Sequence, residues 1–115
     1  MTVTIYHNPR CSKSRQTLAL LEEKGVAPEI VLYLENPPSK TLLKAIADKL
    51  GLQSVREMMR ANEAVYKDLN LQDVSAENGL IDAMAANPIL MERPIVVKGE
   101  RAAIGRPPEG VLEIL

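Results

Sequence analysis

The hydrophobic and polar positions change period several times along the chain, and each change marks an element. Residues 2–6 (TVTIY) alternate with period two and are rich in β-branched side chains, which predicts a strand with Val3 and Ile5 on one face. Asn8-Pro9 is a turn signal. From residue 12 to 24 a helical stripe follows, carried by Leu18, Leu20, Leu21 and the small Ala19, with Gly25 as its stop. Residues 29–34 (EIVLYL) read as a second strand. Strand, helix, strand predicts a βαβ unit with parallel strands.

The middle of the chain reads as helical throughout. Ser39 is a good N-cap for a helix to Leu50 with Leu42, Leu43, Ile46, Ala47 and Leu50 on one face, and Gly51 closes it. Ser54 and Glu57 have the spacing of a capping box opening a short helix toward Arg60. Further helices are expected over residues 63–69 and from residue 75 or 76 to 86. After the turn at Asn87-Pro88, residues 94–98 (PIVVK) read as a third strand with Pro94 at its start. Gly99-Glu100 reverses the chain and residues 101–105 return antiparallel. Arg106-Pro107-Pro108-Glu109 leads into a final helix packed through Val111, Leu112, Ile114 and Leu115. The order β-α-β, helical block, β-β-α predicts an α/β fold, a four-stranded mixed sheet with helices on its faces. Residues 1–115 are expected to form a single domain with a helical insertion at 39–87.

Composition narrows the function classes. With 115 residues there is room for one real core. A net charge of -1 with no Trp, no Phe and three Tyr gives no reason to expect nucleic acid as a partner. One His and one Cys exclude a metal site built from several such ligands, and one Cys excludes an internal disulfide. No apolar run is long enough to span a bilayer and the amino terminus lacks signal-peptide character, so no membrane partner and a cytoplasmic location are expected.

The candidate chemistry concentrates in His7-Asn8-Pro9-Arg10-Cys11-Ser12-Lys13-Ser14-Arg15, which holds the only His and the only Cys. A strand-to-helix junction places Cys11 where backbone N-H groups are unpaired and the helix dipole favours anions, so a thiolate is expected there. His7, Arg10, Lys13 and Arg15 add basic character. His7 stands either as a strand-end residue bonded to backbone or as a group close enough to Cys11 to favour the thiolate or organise the loop. Arg15 lies one helical turn beyond Cys11, on the same side. Ser12 is a natural donor to an oxyanion, and the N-H groups of Ser12, Lys13 and Ser14 offer a nest for one. Only three residues separate Cys11 from Arg15, whereas a tyrosine-phosphatase loop needs five. The position that would carry the second cysteine of a dithiol motif is Ser14, so any redox chemistry is monothiol. Arg60, Arg93 and Arg106 lie near element boundaries and are candidate anion ligands. The Arg93-Pro94 bond is a candidate for cis, which would fix Arg93 in place.

These residues carry a resemblance over nearly the whole chain. His7-Asn8-Pro9-x-Cys11-x-x-Ser14-Arg15, Tyr33-Leu34-Glu35-x-Pro37-Pro38, Arg60, Asn87-Pro88-Ile89-Leu90-x-x-Arg93-Pro94-Ile95-Val96-Val97 and Arg106-Pro107 resemble the glutaredoxin-linked arsenate reductases. The resemblance implies a thioredoxin-like fold with a helical insertion, Cys11 as nucleophile, Arg60, Arg93 and Arg106 as arsenate ligands, and Pro94 as the cis-proline. It also implies reduction of arsenate to arsenite with no tightly bound cofactor, glutathione as co-substrate and glutaredoxin as partner, in arsenic detoxification. Ser12-Lys13 stands where the better-known arsenate reductases carry Gly-Thr. A non-catalytic or regulatory protein of this fold that binds a protein partner, and a monothiol reductase of another substrate, are the alternatives.

Overall fold

β-Branched residues on alternate positions build the first strand, β1 (Val3–His7), and its partners follow in the computed structural model, which describes residues 2–115. The chain divides into two compact units, one formed by residues 1–36 and 93–115 and the other by 37–92.

In the first unit, β1 is followed by α1 (Ser12–Glu23) and β2 (Glu29–Leu32), and the chain returns through β3 (Ile95–Lys98) and β4 (Arg101–Ile104) to a 3-10 helix, Pro108–Ile114. The sheet order is β2-β1-β3-β4. β1 pairs with β2 in parallel and with β3 antiparallel, and β4 runs antiparallel to β3. One sheet face is covered by α1 and the C-terminal 3-10 helix: Val3, Ile5 and Val96 pack with Leu21, Val111 and Ile114. This is the four-stranded mixed sheet of a thioredoxin-like fold.

Three features differ from the expected ones. β2 stops at Leu32 rather than residue 34, because the Leu32 carbonyl accepts the N-H groups of both Glu35 and Asn36 and turns the chain. The buried face of α1 is Ser14, Thr17 and Leu21, while Ala19 is exposed and Leu20 only half-buried. The last element, Pro108–Ile114, is 3-10 rather than α.

The second unit contains α2 (Lys40–Leu50), α3 (Ala64–Asp68) and α4 (Glu77–Ala86), with 3-10 turns at Val55–Met58, Leu71–Asp73 and Pro88–Leu90. Ser39 caps α2 by accepting the Leu42 N-H at 3.1 Å, and Gly51 ends it in the left-handed region at φ 73°. The Ser54–Glu57 capping box forms, though the helix it opens is a single 3-10 turn. Arg56 in that turn donates to the Tyr66 hydroxyl at 2.5 Å, to the Leu71 carbonyl at 3.0 Å and to the Val74 carbonyl. Among the described residues no helix is long and apolar enough to cross a membrane.

Candidate functional site

The loop between β1 and α1 is tied to itself at every turn. Asn8 is its hub: its carbonyl accepts the Cys11 N-H at 3.0 Å and its side-chain oxygen accepts the Arg10 N-H at 3.0 Å. Its own N-H donates to Ser14 Oγ at 3.0 Å. Ser14 Oγ also lies 2.6 Å from His7 Nδ1. Both His7 and Ser14 are buried, Ser14 completely. Arg15 closes the loop from outside, donating from Nη1 to the Pro9 carbonyl at 2.8 Å.

This wiring ties His7 into the loop's own hydrogen bonds. Burial pushes the imidazole pKa down, and the nearby Arg15 guanidinium pushes it further the same way. Both effects favour the neutral ring, which is hydrogen-bonded to Ser14. Arg15 likewise serves the loop carbonyl.

Cys11 is the N-cap of α1, with φ -92° and ψ 123°, and its side chain makes no capping bond. The sulfur is half-exposed, on the residue that caps the helix N-terminus. A cation reaches it: Arg106 Nη2 lies 3.4 Å from Cys11 Sγ, although 95 positions separate the two residues. Arg106 is held there by a second bond, from its Nε to the Arg93 carbonyl at 2.8 Å. The Arg93-Pro94 bond is cis, as is Arg106-Pro107. Pro94 in turn accepts the Gly105 N-H at its carbonyl, 2.9 Å away. Ser12 and Lys13 are exposed in the first turn of α1. Ser12 adopts a helical conformation, so no glycine is needed at that position: among the described residues the only non-glycine with positive φ is Asn70.

Of the three candidate arginines, the structure brings Arg93 and Arg106 to the cysteine's own unit. Arg60 lies in the unit of residues 37–92, where its Nε meets Glu63 Oε1 at 3.0 Å and its Nη1 meets Glu92 Oε1 at 3.7 Å. Beside the loop, a cleft of about 310 Å³ is lined by the segment from His7 to Arg10 and by Leu32, Leu34 and Glu35. Two participants escaped the sequence reading, Thr17 and Gly105. Thr17 offered a signal, since it falls with Ser14 and Leu21 on one helix face, but its hydroxyl disguises a buried position.

The arrangement of a half-exposed sulfur, a helix N-terminus and a guanidinium suits nucleophilic attack on an anion. Comparisons with known proteins agree with the fold and add a family. The family model described as "ArsC family" matches residues 6–114. The chain is 60% identical over 114 residues to an uncharacterized protein, YfgD, of Escherichia coli, covering 98% of this chain and 96% of that one. It is 54% identical to an arsenate reductase of Haemophilus influenzae with both chains fully covered. The structure of an arsenate reductase from Vibrio cholerae superposes with a TM-score of 0.97 at 57% identity, covering 100% of this chain and 98% of that one.

One expectation is corrected. The glutathione and glutaredoxin relay passes the reaction through several thiols, and this chain supplies one, Cys11. The family match and the relatives' names support arsenate-reductase-like membership and specify no thiol donor. Glutathione as co-substrate, glutaredoxin as partner and the glutathione/glutaredoxin form of arsenate reductase are therefore not assigned to this chain. From the matched motifs, the near-complete coverage and the shared fold together, the chain belongs to the ArsC family.

Proposed function

We propose that this protein is a monothiol reductase of a tetrahedral oxyanion, with Cys11 as nucleophile and Arg106 and Arg93 as oxyanion ligands. The observation that carries the reading is the 3.4 Å approach of Arg106 Nη2 to a Cys11 sulfur at the N-terminus of α1. Arsenate is the oxyanion to try first, since relatives at half or more identity bear the name arsenate reductase. The Cys11 thiolate attacks arsenic, forming an S–As bond as an As–O bond breaks and the oxygen leaves as water. A thiolate of an external protein dithiol then attacks the Cys11 sulfur. The S–As electron pair stays on arsenic, which leaves as arsenite, reduced by two electrons. The donor's second thiol attacks its own sulfur in the mixed disulfide, releasing Cys11 and an oxidised donor.

The cleft lined by Arg10, Leu32, Leu34 and Glu35 supports an approach for such a donor next to the cysteine loop. A reducing compartment such as the cytoplasm, where a lone thiol persists, suits the chemistry. We also read residues 39–87 as a helical insertion within a single domain of residues 1–115. The test is arsenate-dependent NADPH consumption by the purified chain with a dithiol protein and its NADPH-linked reductase. Cys11→Ser should abolish it, and Arg106→Lys should lower kcat/KM about 10- to 100-fold, since an ammonium cannot reproduce both guanidinium bonds. Absence of arsenate-dependent turnover in the wild type overturns the reading.

A further inference from the structure

The reach of Arg106 to Cys11 depends on how closely the end of β4 approaches α1, and that approach is set one residue earlier. Gly105 is buried. A Cβ placed on it would stand 2.5 Å from Thr17 Oγ1, 2.7 Å from Pro94 Cγ and 3.1 Å from Thr17 Cγ2. Neither neighbour can yield. Thr17 is completely buried, is stiff at χ1, and its hydroxyl is committed to the Lys13 carbonyl at 2.8 Å. Pro94 is a closed ring in a buried position whose carbonyl receives the Gly105 N-H at 2.9 Å. Restoring ordinary van der Waals separation would move the Gly105 backbone by roughly 1 Å, and Arg106 moves with it.

We infer that Gly105 is a positioning residue: the bare backbone at 105, seated between Thr17 and Pro94, is what lets the Arg106 guanidinium reach the Cys11 sulfur. Gly105 touches neither sulfur nor oxyanion and acts through Arg106 alone. The inference rests on the reading of Arg106 as the cation serving Cys11, and it makes Thr17 the opposite wall of the same seat. A side chain at 105 would leave the thiol and its helix N-terminus in place while withdrawing the positive charge.

The readout is the ratio of Cys11 alkylation rates with iodoacetate and with iodoacetamide. Reagents of similar size but different charge report the local potential at the sulfur, which a merely structural role would not change. Arg106→Ala should lower the ratio about fivefold, the effect of one charge at ~4 Å in water. Gly105→Ala should lower it toward the same value, and Arg106→Ala added to Gly105→Ala should lower it no further. In the Gly105→Ala background, Thr17→Ala removes both Thr17 contacts and should recover part of the ratio, whereas Thr17→Ser keeps Oγ1 and should recover little. Circular dichroism checks that each variant is folded. A folded Gly105→Ala with the wild-type ratio overturns the inference, as does failure of both Gly105→Ala and Thr17→Ala/Gly105→Ala to fold, which would make the close approach a requirement of the fold. Because alkylation needs neither arsenate nor a donor, a wild type that turns over no arsenate sinks the functional reading and leaves this ratio to be judged separately.

Discussion

Ser14 stands where a second cysteine would make a dithiol motif, and its hydroxyl serves the loop instead. It receives the Asn8 N-H and meets His7 Nδ1, which ties the buried His7 ring into the loop. That arrangement has a pH consequence with a definite sign. Burial, and then the Arg15 charge, lowers the folded-state pKa of His7 below its ordinary 6.5. The unfolded chain takes up a proton at the ordinary value, while the folded chain resists it until lower pH. Stability from the neutral ring is therefore complete above 6.5 and is lost as pH falls from there through the folded pKa. His7 is the sole histidine, so no other imidazole titrates in this window. The expected outcome is a fall in Tm between about pH 7.5 and about pH 5.5 that is flatter in His7→Gln. Equal slopes in the two proteins would show that His7 is as easily protonated folded as unfolded.

At the scale of elements, caps and period were legible and small buried polar groups were not. Ser39 and Gly51 bracket α2 because an N-cap oxygen and a left-handed glycine are chemical requirements visible in single letters. The strands were legible through β-branched alternation, but the end of β2 was not, since it depends on which carbonyl the following turn captures. On α1, counting apolar residues favoured Ala19 and Leu20, whereas packing chose Ser14 and Thr17, small enough to fit a close neighbour and supplied with local partners. Arg56 is a further case. In the letters it only lies between the Ser54 and Glu57 of a capping box, yet in the fold its guanidinium binds the Tyr66 hydroxyl and the Leu71 and Val74 carbonyls, joining three short pieces of the 37–92 unit. Arg56→Met keeps the stem and strands those acceptors, so unfolding in urea should show a loss of about 2–4 kcal/mol. A loss within about 0.5 kcal/mol would mean that water replaces the guanidinium at no net cost.

At the scale of the molecule, the site joins the two ends of the chain, with Cys11 meeting Arg106 across 95 positions. Local pattern reasoning marks the cysteine, because a strand-to-helix junction is written in neighbouring residues. It singles out Arg60, Arg93 and Arg106 by their place near element boundaries, as the motif resemblance does, but neither separates Arg106 from Arg60. The same whole-chain count that excludes an internal disulfide fixes the stoichiometry of the proposed reaction. With one thiol in 115 residues, the chain can form a single covalent bond to the oxyanion and a single mixed disulfide. A protein dithiol whose second cysteine is replaced by serine can carry out the attack on Cys11 sulfur but not the release. Arsenate should then yield about one arsenite per Cys11 and leave a 1:1 disulfide-linked complex, visible by mass spectrometry and dissolved by reductant. Cys11→Ser should give neither product. Many arsenites per chain with the truncated donor would require a second resolving thiol from elsewhere, and a complex formed equally well without arsenate would mean that the donor captures Cys11 by oxidation alone, with no reduction of the oxyanion.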